Sequence, residues 1–107
     1  DTLNTAAITV YASDSGILFI NENTATTTYT LPAVADGKGK FWVFFCEAAN
    51  SIVIASSESL LVGGTGSAGI IGATITSATT IGECAMIIGD GDKYYCLPFT
   101  GTWTYSV

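Results

Sequence analysis

The chain of 107 residues is 49% hydrophobic and only 11% charged, and its formal net charge is −6. An average globular domain has about 25% charged residues, so this surface must be covered largely by neutral side chains, which suits a protein–protein contact. Three lysines without any arginine cannot form a phosphate-binding cluster, and no apolar run reaches the roughly 20 residues of a membrane helix. Composition therefore predicts a soluble protein whose partners are neither nucleic acid nor membrane.

Short β-branched and aromatic segments alternate with clusters of Gly, Pro, Asn, Asp and Ser along the chain, a pattern typical of all-β sandwiches and barrels. We predict residues 1–6 to be an N-terminal arm and residues 7–107 to be a single β domain. The domain is expected to be an antiparallel sandwich or barrel of eight to nine short strands with little or no helix. The segments with strand character are residues 7–12, 17–21, 27–31, 41–47, 51–55, 60–62, 70–76, 83–89, 93–97 and 102–106.

Residues 41–45 depart from strict alternation because large apolar side chains occupy both faces of the predicted strand. Either this strand is central and covered on both sides, or one face contacts a partner. A domain of this size can cover little beyond one core, which slightly favours the second interpretation. We predict that the contact is made by Trp42, Phe44, Trp103 and Tyr105.

The chain contains no histidine. This excludes the Ser-His-Asp and Cys-His nucleophile systems and removes the commonest metal ligand. The carboxylates are scattered, and most adjoin Gly, Ser or Asn, where turns use them. We therefore predict that the chain is not an enzyme and has no cofactor.

Residues 64–69 match the G-x-G-x-x-G pattern of dinucleotide-binding loops. In that motif the glycines lead into a helix whose N-terminus binds phosphate. Residues 70–76 are β-branched and predict a strand, so a flexible loop is the favoured interpretation.

Asp90 and Asp92 alternate with glycines between two predicted strands. Asp90-Gly91 is typical of a two-residue hairpin turn, and a calcium site at Asp90 and Asp92 is the alternative. The further acidic positions of a full calcium loop are missing from this segment, which favours the turn.

Three cysteines, Cys46, Cys84 and Cys96, fit neither a disulfide framework nor a four-ligand zinc site. A two-residue turn at Asp90-Gly91 would place Cys84 and Cys96 on opposite faces of the hairpin. A three-residue turn would place them opposite each other and permit a bridge. The favoured prediction is that all three are reduced thiols, buried as small apolar residues.

Several short turn and strand-end motifs occur in an order that resembles a known group of proteins. These motifs are Asp14-Ser15-Gly16, Leu31-Pro32-Ala33, Gly37-Lys38-Gly39, Gly89-Asp90-Gly91 and Gly101-Thr102-Trp103. Their order resembles that of small β-rich structural proteins of tailed bacteriophages, in particular head decoration (cement) proteins. The glycine-rich residues 62–75 have no counterpart in this resemblance.

The resemblance implies a virion structural protein on the outer capsid surface, where it would bind the major capsid protein or other virion subunits as a dimer or trimer. One alternative is a tail, fibre or extracellular filament subunit, linked by strand addition from residues 1–6. A second alternative, of another class, is a carbohydrate-binding module with an exposed aromatic platform. The candidates for that platform are Trp42, Tyr94, Tyr95, Trp103 and Tyr105.

Overall fold

The computed structural model describes residues 2–3, 6–56, 61–62 and 73–106, and the side chains of 6–56 and 73–106. Two short 3-10 turns, Ala12–Asp14 and Val34–Gly37, are its only helical elements within these ranges. The strands are β1 (Thr2–Leu3), β2 (Ala7–Thr9), β3 (Leu18–Asn21), β4 (Thr27–Thr30), β5 (Phe41–Cys46), β6 (Ile52–Ala55), β7 (Leu61–Val62), β8 (Thr74–Ser77), β9 (Cys84–Gly89), β10 (Tyr94–Thr100) and β11 (Trp103–Ser106).

The strands form two packed sheets. The first has the order β1-β3-β5-β9-β10-β7 and the second the order β11-β8-β6-β4-β2. Nine of the strands have three or more residues, while β1 and β7 are two-residue strands at the edges of the first sheet. The predicted all-β fold of eight to nine strands is therefore confirmed. Within the described ranges, no helix is long and apolar enough to cross a membrane.

The prediction that the sandwich is antiparallel holds for only part of it, because both sheets are mixed. From β1 to β6 the chain passes from one sheet to the other after every strand, so β1, β3 and β5 pair in parallel, as do β2, β4 and β6. The second turn of this winding has the same length in both sheets: Leu18 pairs with Val43 and Thr27 with Ile52, an advance of 25 positions in each. Side-chain alternation specifies the two faces of a strand but not the sheet it joins, so the pattern could not predict this direction. Antiparallel pairs occur only later, at β5–β9, β9–β10, β6–β8 and β8–β11.

The predicted N-terminal arm contributes to the fold. Thr2 and Leu3 pair in parallel with Ile20 and Asn21 of the same chain, so these two residues form an edge strand of the first sheet. The remaining described residue of the predicted arm, Ala6, accepts a backbone hydrogen bond from Thr28. The glycine-rich motif at residues 64–69 and the predicted strand start at 70–72 lie outside the described residues.

One core fills the space between the sheets, and aromatic rings form its centre. Phe19, Tyr29 and Phe44 pack with ring centroids 5.0 to 5.5 Å apart, and Trp42 contacts the Tyr94 ring at 5.9 Å. All five are buried. Aromatic pairs at these separations contribute about 0.5–1.5 kcal/mol each beyond the burial of their area.

The 3-10 turn Val34–Gly37 packs directly against the end of the β9–β10 hairpin. A Cβ atom on Gly89 would overlap the carbonyl oxygen of Gly37, and one on Gly37 would overlap the Tyr94 ring. The Tyr94 hydroxyl donates a hydrogen bond to the carbonyl of Pro32 at 2.8 Å, which anchors the segment just before the same turn. This close approach requires glycine because it leaves no space for a side chain.

We predict that Gly89→Ala lowers the free energy of unfolding by about 3 kcal/mol, because the new methyl group must displace backbone. Gly39→Ala is the matched control: Gly39 has φ +73° but no atom within 4 Å of the added Cβ. It should cost about 1 kcal/mol, the usual penalty for a left-handed alanine. Urea unfolding followed by tryptophan fluorescence measures both values. Equal losses in the two variants would contradict the close approach.

Candidate contact surface

The two sheets have outward surfaces of similar extent and opposite character. On the first sheet, burial alternates along β3, β5, β9 and the start of β10, so every second side chain points away from the core. These outward residues, which we call the apolar face, are Leu18, Ile20, Phe41, Val43, Phe45, Cys84, Met86, Ile88, Tyr95 and Leu97. On the second sheet they form what we call the threonine face: Ala7, Thr9, Thr28, Thr30, Val53, Ala55, Thr74, Thr76, Thr104 and Ser106.

The register makes the apolar face continuous across four strands. Its middle row runs through Leu18, Val43, Met86 and Leu97, which are paired strand to strand. A row on one side joins Phe41 to Ile88 and Tyr95, and a row on the other joins Ile20 to Phe45 and Cys84. The Tyr95 hydroxyl donates a hydrogen bond to Asp90 Oδ2 at 3.0 Å, at the margin of the face. Its interior therefore consists of hydrocarbon and sulfur.

The apolar face is accessible in the folded chain. Leu18, Phe41 and Leu97 are 42%, 40% and 44% exposed, and Phe99 extends the surface beyond an irregularity in β10 with 58%. Four strands about 4.8 Å apart and about six residues long span about 20 Å by 20 Å, or about 400 Å². The largest apolar patch on a typical monomer covers about 300–600 Å² and is often functional, so this face is a candidate interaction site.

The predicted contact residues lie in the core instead. Trp42 and Phe44 are completely buried and Trp103 is 7% exposed, so the prediction that they form the contact surface is wrong. Tyr105 is half-buried and packs against the core. The second interpretation of residues 41–45 identified a strand with an outward apolar face but chose the wrong set of alternate residues. The largest rings fill the space between the sheets, and this leaves Phe41, Val43 and Phe45 outside.

The sequences of the neighbouring strands also indicate this outward apolar surface. Residues 84–89 contain no polar side chain other than the Cys84 thiol, and Leu18 and Ile20 flank the inward Phe19 in the same way. A strand that is apolar on both faces marks an outward apolar surface whenever its sheet is covered on one side only. Three such strands in one sheet would have located the surface.

Burial also removes the predicted carbohydrate platform. Trp42, Tyr94 and Trp103 are buried, so their rings cannot bind a sugar face. The two remaining candidates, Tyr95 and Tyr105, lie in different sheets, on β10 and β11. No platform can be assembled from this set.

Asp90 acts in the hairpin turn. Its Oδ1 accepts hydrogen bonds from the backbone N–H groups of Asp92 and Lys93 at 2.8 and 2.7 Å, and these bonds lower the pKa of the Asp90 carboxyl group. Gly89 pairs with Tyr94, so the two turn residues are Gly91 and Asp92, one position later than predicted. Among the described residues, no group of three or more acidic or cysteine side chains is placed to bind a metal. The carboxylate at the predicted calcium position is thus engaged by its own turn.

The shift of the turn by one residue preserves the predicted placement of the cysteines. Cys96 pairs with Ile87 and points into the core, whereas Cys84 points outward, so the two thiols lie on opposite faces and cannot form a bridge. Cys46 is buried, but Cys84 is only half-buried, so the prediction that all three are buried is wrong for Cys84. Burial raises the pKa of Cys96 to about 12 and also raises the pKa values of Cys46 and Cys84.

Glu83 is a buried carboxylate with a structural role. Its side chain accepts hydrogen bonds from the backbone N–H groups of Ala78, Thr80 and Thr102 at 3.0 to 3.3 Å. These donors belong to the connection after β8 and to the residue before β11, and the bonds therefore join two segments of chain. These three hydrogen bonds satisfy the buried carboxyl group, so Glu83 fixes this end of the sandwich.

Comparison of the chain with protein-family models, with curated proteins and with solved structures finds no match in any of the three. The resemblance to phage decoration proteins therefore stays a prediction.

We predict that Cys84 is the thiol that a small neutral alkylating reagent modifies first in the folded protein, since the other two point into the core. All three rates should increase with pH, because burial holds each pKa above that of a free thiol and the thiolate is the nucleophile. Peptide mass spectrometry at mildly alkaline pH measures the order, with urea-unfolded protein as the control in which the three rates converge. Modification of Cys96 as fast as Cys84 in the folded state would contradict the register of the hairpin.

Proposed function

We propose that this protein is a non-enzymatic structural subunit of a virion, a capsid decoration protein that binds the assembled shell on its outer surface and stabilises it. The observation that carries this proposal is the contrast between the two outward surfaces. The fold does not require an apolar outer face, since the second sheet has the same alternation with threonine in six of its ten outward positions. An apolar surface on only one sheet therefore points to a contact with another protein.

The distribution of charge supports a role in a closely packed assembly. None of the eleven strands contains a charged residue, and all the charged side chains within the described ranges lie in the connections at the two ends of the sandwich. Both outward surfaces are consequently neutral. Neighbouring subunits can approach either surface without burying an unpaired charge, which is the main electrostatic cost of forming an interface.

The size of the apolar face indicates how it would be used. Burial of about 400 Å² contributes about 10 kcal/mol at 25 cal/mol per Å², while association itself costs about 4–15 kcal/mol. The free energy gained by burying the apolar face alone is therefore about equal to the cost of association. It would act as the centre of a contact that a polar rim completes, as in interfaces of about 800 Å² per partner. A shell that presents several subunits around each site can supply such a rim.

The alternative of a filament linked by strand addition has less support. Strand addition from the N-terminal segment needs a free strand, and the described residues Thr2 and Leu3 already pair within their own chain. The apolar face offers a contact without opening that pair.

We predict that the protein cosediments with purified capsids of the phage that encodes it, and that Val43→Lys lowers its affinity at least about tenfold, because the ammonium group would be buried without a partner. Val53→Lys is the matched control, since Val53 is likewise half-buried and outward on the central strand β6 of the other sheet. This control should bind as the wild type does, and circular dichroism should show that both variants are folded.

Two results would contradict the proposal. In one, the wild-type protein remains in the supernatant at every capsid concentration. In the other, both lysine variants bind as well as the wild type, which would remove the apolar face from the contact.

A further inference from the structure

Charge is distributed unequally between the two ends of the apolar face. The strands β3, β5 and β10 run in the same direction, as their pairing with each other and with β9 requires. All three lysines lie where β5 and β10 begin, and we call this the lysine end: Lys38 and Lys40 precede β5, and Lys93 precedes β10. Lys38 forms a β-bridge with Gly89, which places it beside the hairpin turn.

The opposite end of the face contains carboxylates without a lysine. Glu22 follows β3 and Glu47 follows β5, and both are exposed. Glu83 precedes β9 at this end but is buried. We call this the glutamate end. The lysine end also carries Asp14, Asp36, Asp90 and Asp92, so it is close to neutral in sum, whereas the glutamate end is acidic.

We propose that, in the protein not bound to a shell, a second copy of this chain covers the apolar face, packed face to face about a twofold axis that crosses the strands. Binding to the shell would replace this second copy. This inference rests on the proposed function in one respect, that the apolar face is a contact surface. An apolar face of continuous hydrocarbon is complementary to itself. The twofold axis then decides which charged ends meet.

Two orientations of the axis are compatible with face-to-face packing, and charge selects one. An axis along the strands would place the two glutamate ends next to each other. An axis across the strands places each glutamate end against the lysine end of the other copy, with Glu47 of one copy facing Lys40 of the other, since these residues flank the same strand, β5. The middle row then lies on the axis, so that each of its residues meets its own counterpart.

The size of the face sets the strength of this dimer. About 400 Å² per copy is half of the roughly 800 Å² that a stable interface buries on each partner. The dimer should therefore be weak and dependent on protein concentration. The two first sheets would pack about 10 Å apart with their strands about 30° from antiparallel, and the threonine faces would point outward.

The first test is sedimentation equilibrium of the wild-type protein over a series of concentrations, in the absence of capsids. We expect a shift from monomer to dimer, with the dissociation constant raised at least about tenfold by Val43→Lys and unchanged by Val53→Lys. A wild-type protein that stays monomeric at the highest concentration would overturn the inference. So would equal dimerisation of the two lysine variants.

The second test addresses the orientation of the axis. Lys40→Glu and Glu47→Lys should each weaken the dimer about three- to tenfold at low salt, and the double variant should restore it, because each exchanged pair meets again across the twofold axis. High salt should reduce all of these differences. If the double variant loses as much dimer affinity as the two single variants lose together, the proposed orientation is wrong.

These measurements separate the inference from the proposed function. A concentration-dependent dimer that fails to bind capsids would contradict the role in the virion and leave the dimer in place. A monomer that binds capsids through Val43 would overturn the dimer and leave the proposed role in place.

Discussion

The burial of Trp42 and Phe44 between the two sheets is the interaction on which the rest of the structure depends. The indole ring contacts Tyr94, whose hydroxyl donates a hydrogen bond to the carbonyl of Pro32. The phenyl ring packs against Phe19 of the neighbouring strand β3 and against Tyr29 across the core. The N–H of Trp42 and the hydroxyl of Tyr29 have no hydrogen-bond partner among the described residues, so packing holds these rings in place. With the three alternate residues Trp42, Phe44 and Cys46 of β5 committed inward, the other three must face outward. The outward position of Phe41, Val43 and Phe45 is thus a direct consequence of how the core is filled.

The winding of the chain has a second consequence, for the position of charge. Because the first six strands pass between the sheets after every strand, each connection lies at one end of the sandwich, and the polar residues that turns require are confined to these ends. The strands are left with neutral side chains on both surfaces. Charged side chains are one of the ways in which proteins prevent unwanted association, and the described strands of this chain contain none. Another protein can therefore cover either surface without burying an unpaired charge.

The first sheet has an apolar outer surface and the second a threonine-rich one. The apolar face therefore results from its side chains and is not required by the fold. Threonine satisfies strand propensity with a hydroxyl that water can solvate, as on the second sheet. The first sheet uses Phe, Met, Ile and Leu at equivalent positions, and each of these exposes hydrocarbon at a cost that a partner would remove. The half-buried Cys84 lies within this surface, so its reactivity can report on whether the surface is covered.

Much of the fold followed from the sequence alone. The alternation of β-branched and aromatic residues with turn residues predicted an all-β domain of eight to nine strands. The lack of histidine and of clustered carboxylates favoured a protein that acts through contacts with other proteins. These properties are local, because strand propensity and turn chemistry act over a few residues. The parallel winding, the identity of the inward face of β5 and the pairing of Thr2 and Leu3 with β3 were decided only by tertiary structure. Each depends on which strands become neighbours, and in an alternating strand the sequence defines two faces without stating which one meets the core.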